Sequence, residues 1–175
     1  MAAIDPDRAA RLLDEAGRAA EAFAGGSWKG DELAGVAGAM AAIDPNRAER
    51  IARSIFDDSW QAQALASIAG AVAAADPDRA ERIARFIADD SWQAQALASI
   101  AKAVAATDPD RAERIARSIT DNSLRGATLA SIAGAVAAAD PDRAERITRF
   151  IADNSWKAQA LASIAKAVAV TDPDR

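Results

Sequence analysis

Arginine recurs at three fixed places along most of this chain: Arg47, Arg79, Arg111 and Arg143; Arg50, Arg82, Arg114 and Arg146; Arg53, Arg85, Arg117 and Arg149. A guanidinium is a rigid fork of donors that suits carboxylate or phosphate oxygens. Stacked in columns, these residues could form basic stripes for an acidic peptide or for phosphates. Each run also carries Glu49, Glu81, Glu113 or Glu145, with an aspartate nearby. That pattern favours a salt-bridged, solvated face.

The other groups able to do chemistry are carboxylate pairs such as Asp57-Asp58 and Asp89-Asp90. Aspartate at a helix start is accounted for by capping and by the macrodipole. There is no histidine and no cysteine. The usual general base, the commonest metal ligand and the thiolate are therefore all missing. No nucleophile–base pair, phosphate loop or metal-ligand spacing stands out. The expectation is a non-enzymatic chain with no cofactor and no metal. The lack of cysteine fits a reducing cytoplasm.

The net charge is −5, from 21 basic and 26 acidic residues. A non-specific grip on nucleic acid usually carries the opposite balance, and would want stacking aromatics between the charges. Nucleic acid is the less favoured partner. MAAIDPDRAAR at the N-terminus has no basic region followed by an apolar one, so it does not read as a signal peptide. The longest uncharged run, Ser59 to Ala75, is rich in alanine and carries two glutamines. It is too short and too weakly apolar to span a bilayer, so no membrane partner is expected.

The elements that hold these residues follow a ruler. Asp-Pro begins at Asp5, Asp44, Asp76, Asp108, Asp140 and Asp172, with one gap of 39 and then four of 32. Segments 76–107 and 140–171 are identical at all but four positions, and segments 44–75 and 108–139 at all but eight. Ser54, Phe86, Ser118 and Phe150 alternate, as do Gly70, Lys102, Gly134 and Lys166, so the larger period is 64. Such a period signals stacked helical repeats. Four repeats cover 44–75, 76–107, 108–139 and 140–171. Residues 1–43 form a longer, atypical N-terminal repeat or cap, and 172–175 begin a further one.

Each repeat reads as two helices. Asp76 caps and Pro77 starts the first, whose apolar stripe is Ala80, Ile83, Ala84 and Ile87. The second restarts at Asp90, with Gln93 in a capping-box arrangement. Its buried stripe is Leu97, Ile100, Ala101 and Val104, while Gln95, Ser99 and Lys102 share a polar face. In the N-terminal repeat a helix from Pro6 to near Phe23 is broken by Gly25-Gly26. No sustained period of two suggests a strand.

LASIAKAVAATDPDRAERIARSI, Leu97 to Ile119, resembles a tetratricopeptide repeat. Leu97, Ile100, Ala101 and Val104 match the spacing of that family's first helix; Ala112, Ile115 and Ile119 approximate its second. The period here is 32 where the family has 34, and the second helix is short. A HEAT-like frame, taking DPDRAERIARSI as the first helix, fits almost as well. Both resemblances imply an all-α fold without strands, a right-handed α–α superhelix or solenoid of about five antiparallel helix pairs. They also imply a non-catalytic scaffold that binds a protein or peptide on its concave face. Similar arrays form sensor or adaptor regions of larger bacterial proteins.

Two sets of residues are candidates for binding. In the tetratricopeptide frame the long-helix groove carries Gln63, Gln95, Lys102, Gln159 and Lys166, with Arg125 in a varied stretch nearby. There Trp60 to Ala64 become Leu124, Arg125, Gly126, Ala127 and Thr128. The second set is a column of tryptophans, Trp28, Trp60, Trp92 and Trp156, with Leu124 standing in once. These either wedge between helix pairs or form an aromatic ladder for a partner. The alternative function is a self-assembling or designed structural repeat, associating end to end through the last helix, 155–170.

Overall fold

Proline at a helix start loses nothing by lacking an N–H, and an aspartate before it can accept from the first free amides. The computed structural model, which describes residues 6–23 and 30–171, carries this out four times. Asp44, Asp76, Asp108 and Asp140 accept from the backbone N–H of Arg47, Arg79, Arg111 and Arg143 at 2.8–3.0 Å. The backbone N–H of each same aspartate donates to the carbonyl of Met40, Val72, Val104 or Val136 at 2.8–2.9 Å. One residue thus closes a long helix and caps the short one that follows.

The elements are α1 (Pro6–Phe23), α2 (Gly30–Met40), α3 (Pro45–Arg53), α4 (Asp58–Val72), α5 (Pro77–Arg85), α6 (Asp90–Val104), α7 (Pro109–Arg117), α8 (Asn122–Val136), α9 (Pro141–Thr148) and α10 (Asn154–Thr171). Among the described residues there is no strand, and the protein is all-α. From α3 onward, short helices begin at 45, 77, 109 and 141 and long ones at 58, 90, 122 and 154, each 32 apart. The first helix ends at Phe23, as its sequence suggests. The glycine pair and Trp28 that follow it, and Asp172 to Arg175, lie outside the described residues.

The capping-box reading of Asp90 and Gln93 is corrected. Asp89 is the residue that accepts, from Trp92 N–H at 2.9 Å, and Asp90 is already helical. Asp57, Asp121 and Asp153 cap α4, α8 and α10 in the same way. Gln93 therefore sits one place too far along to reach back to the cap. Its Nε2 instead donates to the carbonyls of Ile87 at 3.1 Å and Ala84 at 3.3 Å. Gln61 does the same to Ile55 at 3.1 Å. These amides latch the long helix to the end of the short one, where carbonyls lack intrahelical partners.

The chain divides into two compact units, Met1–Gln93 and Ala94–Arg175, with the boundary inside α6. In the first, α1 packs on α2 and α3, α2 on α3 and α4, and α4 on α3 and α5. Its interior is built from Leu33, Met40, Ile51, Leu65, Ile68 and Val72 with alanines between them. In the second, α8 packs on α7, α9 and α10, and α9 on α10. Ile115, Ile119, Leu129, Ile132 and Ile147 fill its interior. Alanine-rich faces bury little area per residue, so stability rests on helices approaching closely.

Candidate protein interface

Two members of one arginine column, Arg79 and Arg143, tie a short helix to the short helix before it. Arg79 on α5 donates from Nε at 2.9 Å and from Nη2 at 2.7 Å to Glu49 Oε1 on α3, and Nη2 also donates to Asn46 Oδ1 at 2.8 Å. Two repeats further on, Arg143 on α9 donates to Glu113 Oε1 and Asp110 Oδ1 on α7 at 2.9 and 2.6 Å. Each glutamate is clasped from its own helix as well, Glu49 by Arg53 at 2.9 Å and Glu113 by Arg117 at 3.1 Å. The Asp110 hydrogen bond is the main reason the Arg143 guanidinium titrates above its ordinary range; burial works against it and Glu113 adds to it.

These side chains are mostly covered, with Arg143 and Glu113 each 16% exposed, so the pair is screened less than a surface one. Arg143→Ala should lower unfolding free energy by about 1–2 kcal/mol, short of the fully buried case. In a double-mutant cycle with Glu113→Gln, urea denaturation should give a coupling of about 1 kcal/mol. The Arg117–Glu113 pair on one helix should give only a few tenths.

An aromatic borders each tie. In the first unit a groove of about 280 Å³ is lined by Asn46, Glu49, Arg53, Arg79, Arg82, Ile83 and Phe86. Phe86 is 71% exposed, unusual for so large an apolar side chain, and Phe56 on the loop after α3 is 90% exposed. In the second unit Arg117 lies over the Phe150 ring at 3.7 Å from its centroid. The alternation of Ser54, Phe86, Ser118 and Phe150 is plain in the sequence, where it marks only the double period. A lone phenylalanine at the end of each second basic helix was the available signal for this groove.

The long-helix candidates divide. Gln95, Lys102, Gln159 and Lys166 are exposed on α6 and α10, and Gln63 is half-buried on α4. Arg125 is engaged in structure: its Nη1 donates to the Ile119 carbonyl at 2.9 Å, and its Nη2 bonds Asn122 Oδ1. It occupies the latch place of Gln61 and Gln93. The varied stretch around it is buried or half-buried throughout. Gly126 and Thr128 are buried, and Thr128 Oγ1 donates to the Leu124 carbonyl at 2.7 Å. Those substitutions repack the unit.

Trp60 and Trp156 sit against the preceding long helix. A Cβ added to Gly30 on α2 would meet the Trp60 side chain at 2.5 Å, and one added to Gly126 on α8 would meet Trp156 at 3.1 Å. Leu124, in the same place, packs against a cluster of Ala94, Ala98 and Ile119 together with Leu97. Trp60, Leu124 and Trp156 each supply apolar bulk against a neighbouring helix. Trp92 and Trp156 are half-buried, and Trp60 is at the edge of exposure.

Among the described residues no group of histidine, cysteine or carboxylate side chains could hold a metal ion, and no helix is long and apolar enough to cross a membrane. Helices recurring at one interval and packed on their sequence neighbours define the class: an all-α protein compatible with a helical repeat. Comparison with protein-family models, with curated proteins and with solved structures finds no match. No family model singles out the tetratricopeptide or the HEAT-like frame.

Proposed function

We propose that this chain is a non-catalytic scaffold, a right-handed helical solenoid that binds a protein or peptide segment along its short helices. The observation that carries the reading is the groove where exposed Phe86 stands beside Arg53, Arg79 and Arg82. A comparable set, Arg117, Arg143, Arg146 and Phe150, recurs two repeats later in the sequence. Aromatic and arginine side chains are enriched where partners bind tightly. Arg79 and Arg143 are held in place by their glutamates, so little side-chain entropy remains to be lost there on binding. The chemistry suits a segment that pairs an apolar side chain with a carboxylate.

This differs from the long-helix stripe, and the two faces can be told apart. Peptides selected from a displayed random library on the wild-type protein should be enriched in acidic residues beside apolar ones. Phe86→Ser combined with Phe150→Ser should weaken their binding at least about tenfold, the loss expected for a hot-spot side chain. Replacing Gln95, Lys102, Gln159 and Lys166 together by alanine should leave it unchanged. The reverse pattern would move the binding face to the long helices. Selection of no peptide that either variant affects would remove the scaffold reading.

A further inference from the structure

The residues that line the Phe86 groove return two repeats on with one exchange: Asp110 stands where the first groove has Asn46. Asparagine occurs at this place in that repeat alone, since the others carry Asp78, Asp110 and Asp142. The exchange alters the balance of charge. In the first groove the guanidinium groups of Arg53, Arg79 and Arg82 face a single carboxylate, Glu49. At the second, Arg117, Arg143 and Arg146 are set against both Glu113 and Asp110. Arg79 Nη2 donates to the neutral amide oxygen of Asn46 at 2.8 Å, whereas Arg143 Nη2 donates to the Asp110 carboxylate at 2.6 Å. The aromatics differ as well. Phe86 is 71% exposed, while Phe150 lies under the Arg117 guanidinium and is 49% exposed.

In the second unit the chain thus supplies from within what a partner would bring to the first: a second carboxylate for the tied arginine and a cover for the ring. We infer that the first groove is the acid-reading site and that Asp110 makes the second reject acidic segments, so that Asn46 and Asp110 set specificity. This rests on the scaffold reading above and names which groove the acidic, apolar segment enters. A carboxylate approaching Arg79 meets Asn46, whose amide can turn and donate an N–H to it. One approaching Arg143 meets a guanidinium already answered, with a like charge beside it. Unit charges about 4 Å apart at a solvated surface repel enough to weaken binding about fivefold. The chain as a whole is acidic, so the excess of arginine in the first groove is a local feature that favours an acidic segment there.

Selection from a displayed random peptide library on two single-groove chains tests this. Phe150→Ser keeps the first groove and Phe86→Ser keeps the second; serine already stands at the equivalent places, Ser54 and Ser118, so helical circular dichroism should be unchanged. Peptides selected on the Phe150→Ser chain should be enriched in acidic residues, and those selected on the Phe86→Ser chain should not. Adding Asp110→Asn to the Phe86→Ser chain should bring the acidic enrichment back. Adding Asn46→Asp to the Phe150→Ser chain should weaken its selected peptides about fivefold, and less at high salt. Equal acidic content from the two single-groove chains, or affinities that neither exchange moves by more than about twofold, would overturn the inference while leaving the scaffold reading in place. Selection of no peptide that depends on either phenylalanine would remove that reading and the inference with it.

Discussion

Leu129→Ala should destabilise the protein by about 2–5 kcal/mol, whereas Leu161→Ala, at the same place in the next repeat, should cost well under about 1 kcal/mol. The two leucines sit in nearly identical surroundings along the chain, Thr-Leu-Ala-Ser-Ile-Ala and Ala-Leu-Ala-Ser-Ile-Ala. Leu129 is 1% exposed because α9 and α10 pack on its helix; Leu161 is 44% exposed. Truncating the first removes apolar contact and leaves a cavity whose rigid alanine-rich walls close poorly. Truncating the second removes atoms that already meet water. Urea denaturation of both variants, at concentrations where the chain is monomeric, gives the comparison directly. Equal losses would mean that the last helix is covered in solution.

Enlarging a small residue should show the same asymmetry from the other side. Ala133 on α8 is fully buried, and helices approach closely along this face because alanine keeps it low. Ala133→Leu must push α8 away from its neighbours or force strained rotamers, at a cost of about 1–3 kcal/mol. Ala165, one repeat on, is exposed, and Ala165→Leu should change stability by no more than about 0.5 kcal/mol. Thermal melts followed by circular dichroism would resolve the difference as a drop of several degrees for the first variant alone. A tolerated Ala133→Leu would show that the units are loosely packed, with room between their helices.

Much of the helix layout is legible in the chain itself. Asp-Pro dictates where each short helix starts, because a capping carboxylate and a missing N–H are local properties. The buried Ala80, Ile83, Ala84 and Ile87 stripe, and the exposed Gln95, Ser99 and Lys102 face, follow from helical period alone. The spacing puts the cap of α6 one place late because Asp89 and Asp90 are chemically alike. Which of them caps depends on where Ile87 is anchored in the interior, a matter of packing. Spacing alone also assigns Gln93 to a capping box, and its true partners belong to the helix before. Helical spacing alone brings arginine to glutamate along one helix, as Arg53 to Glu49. The better-covered partner lies on the neighbouring short helix, from Arg79 to Glu49 and from Arg143 to Glu113.

The order and spacing of the helices, together with the alternation of glycine with lysine and serine with phenylalanine, are determined by the sequence. Periodicity and caps act within a few residues, and one helix suffices to express them. Which copy of a repeated residue is buried, which arginine clasps which glutamate, and which apolar face stays open were decided by tertiary structure alone. Leu129 and Leu161 carry the same side chain in the same local pattern, and differ only in whether another helix lies against them. Burial is a property of neighbours, and near-identical repeats offer no local mark to distinguish a leucine that another helix covers from one that is exposed.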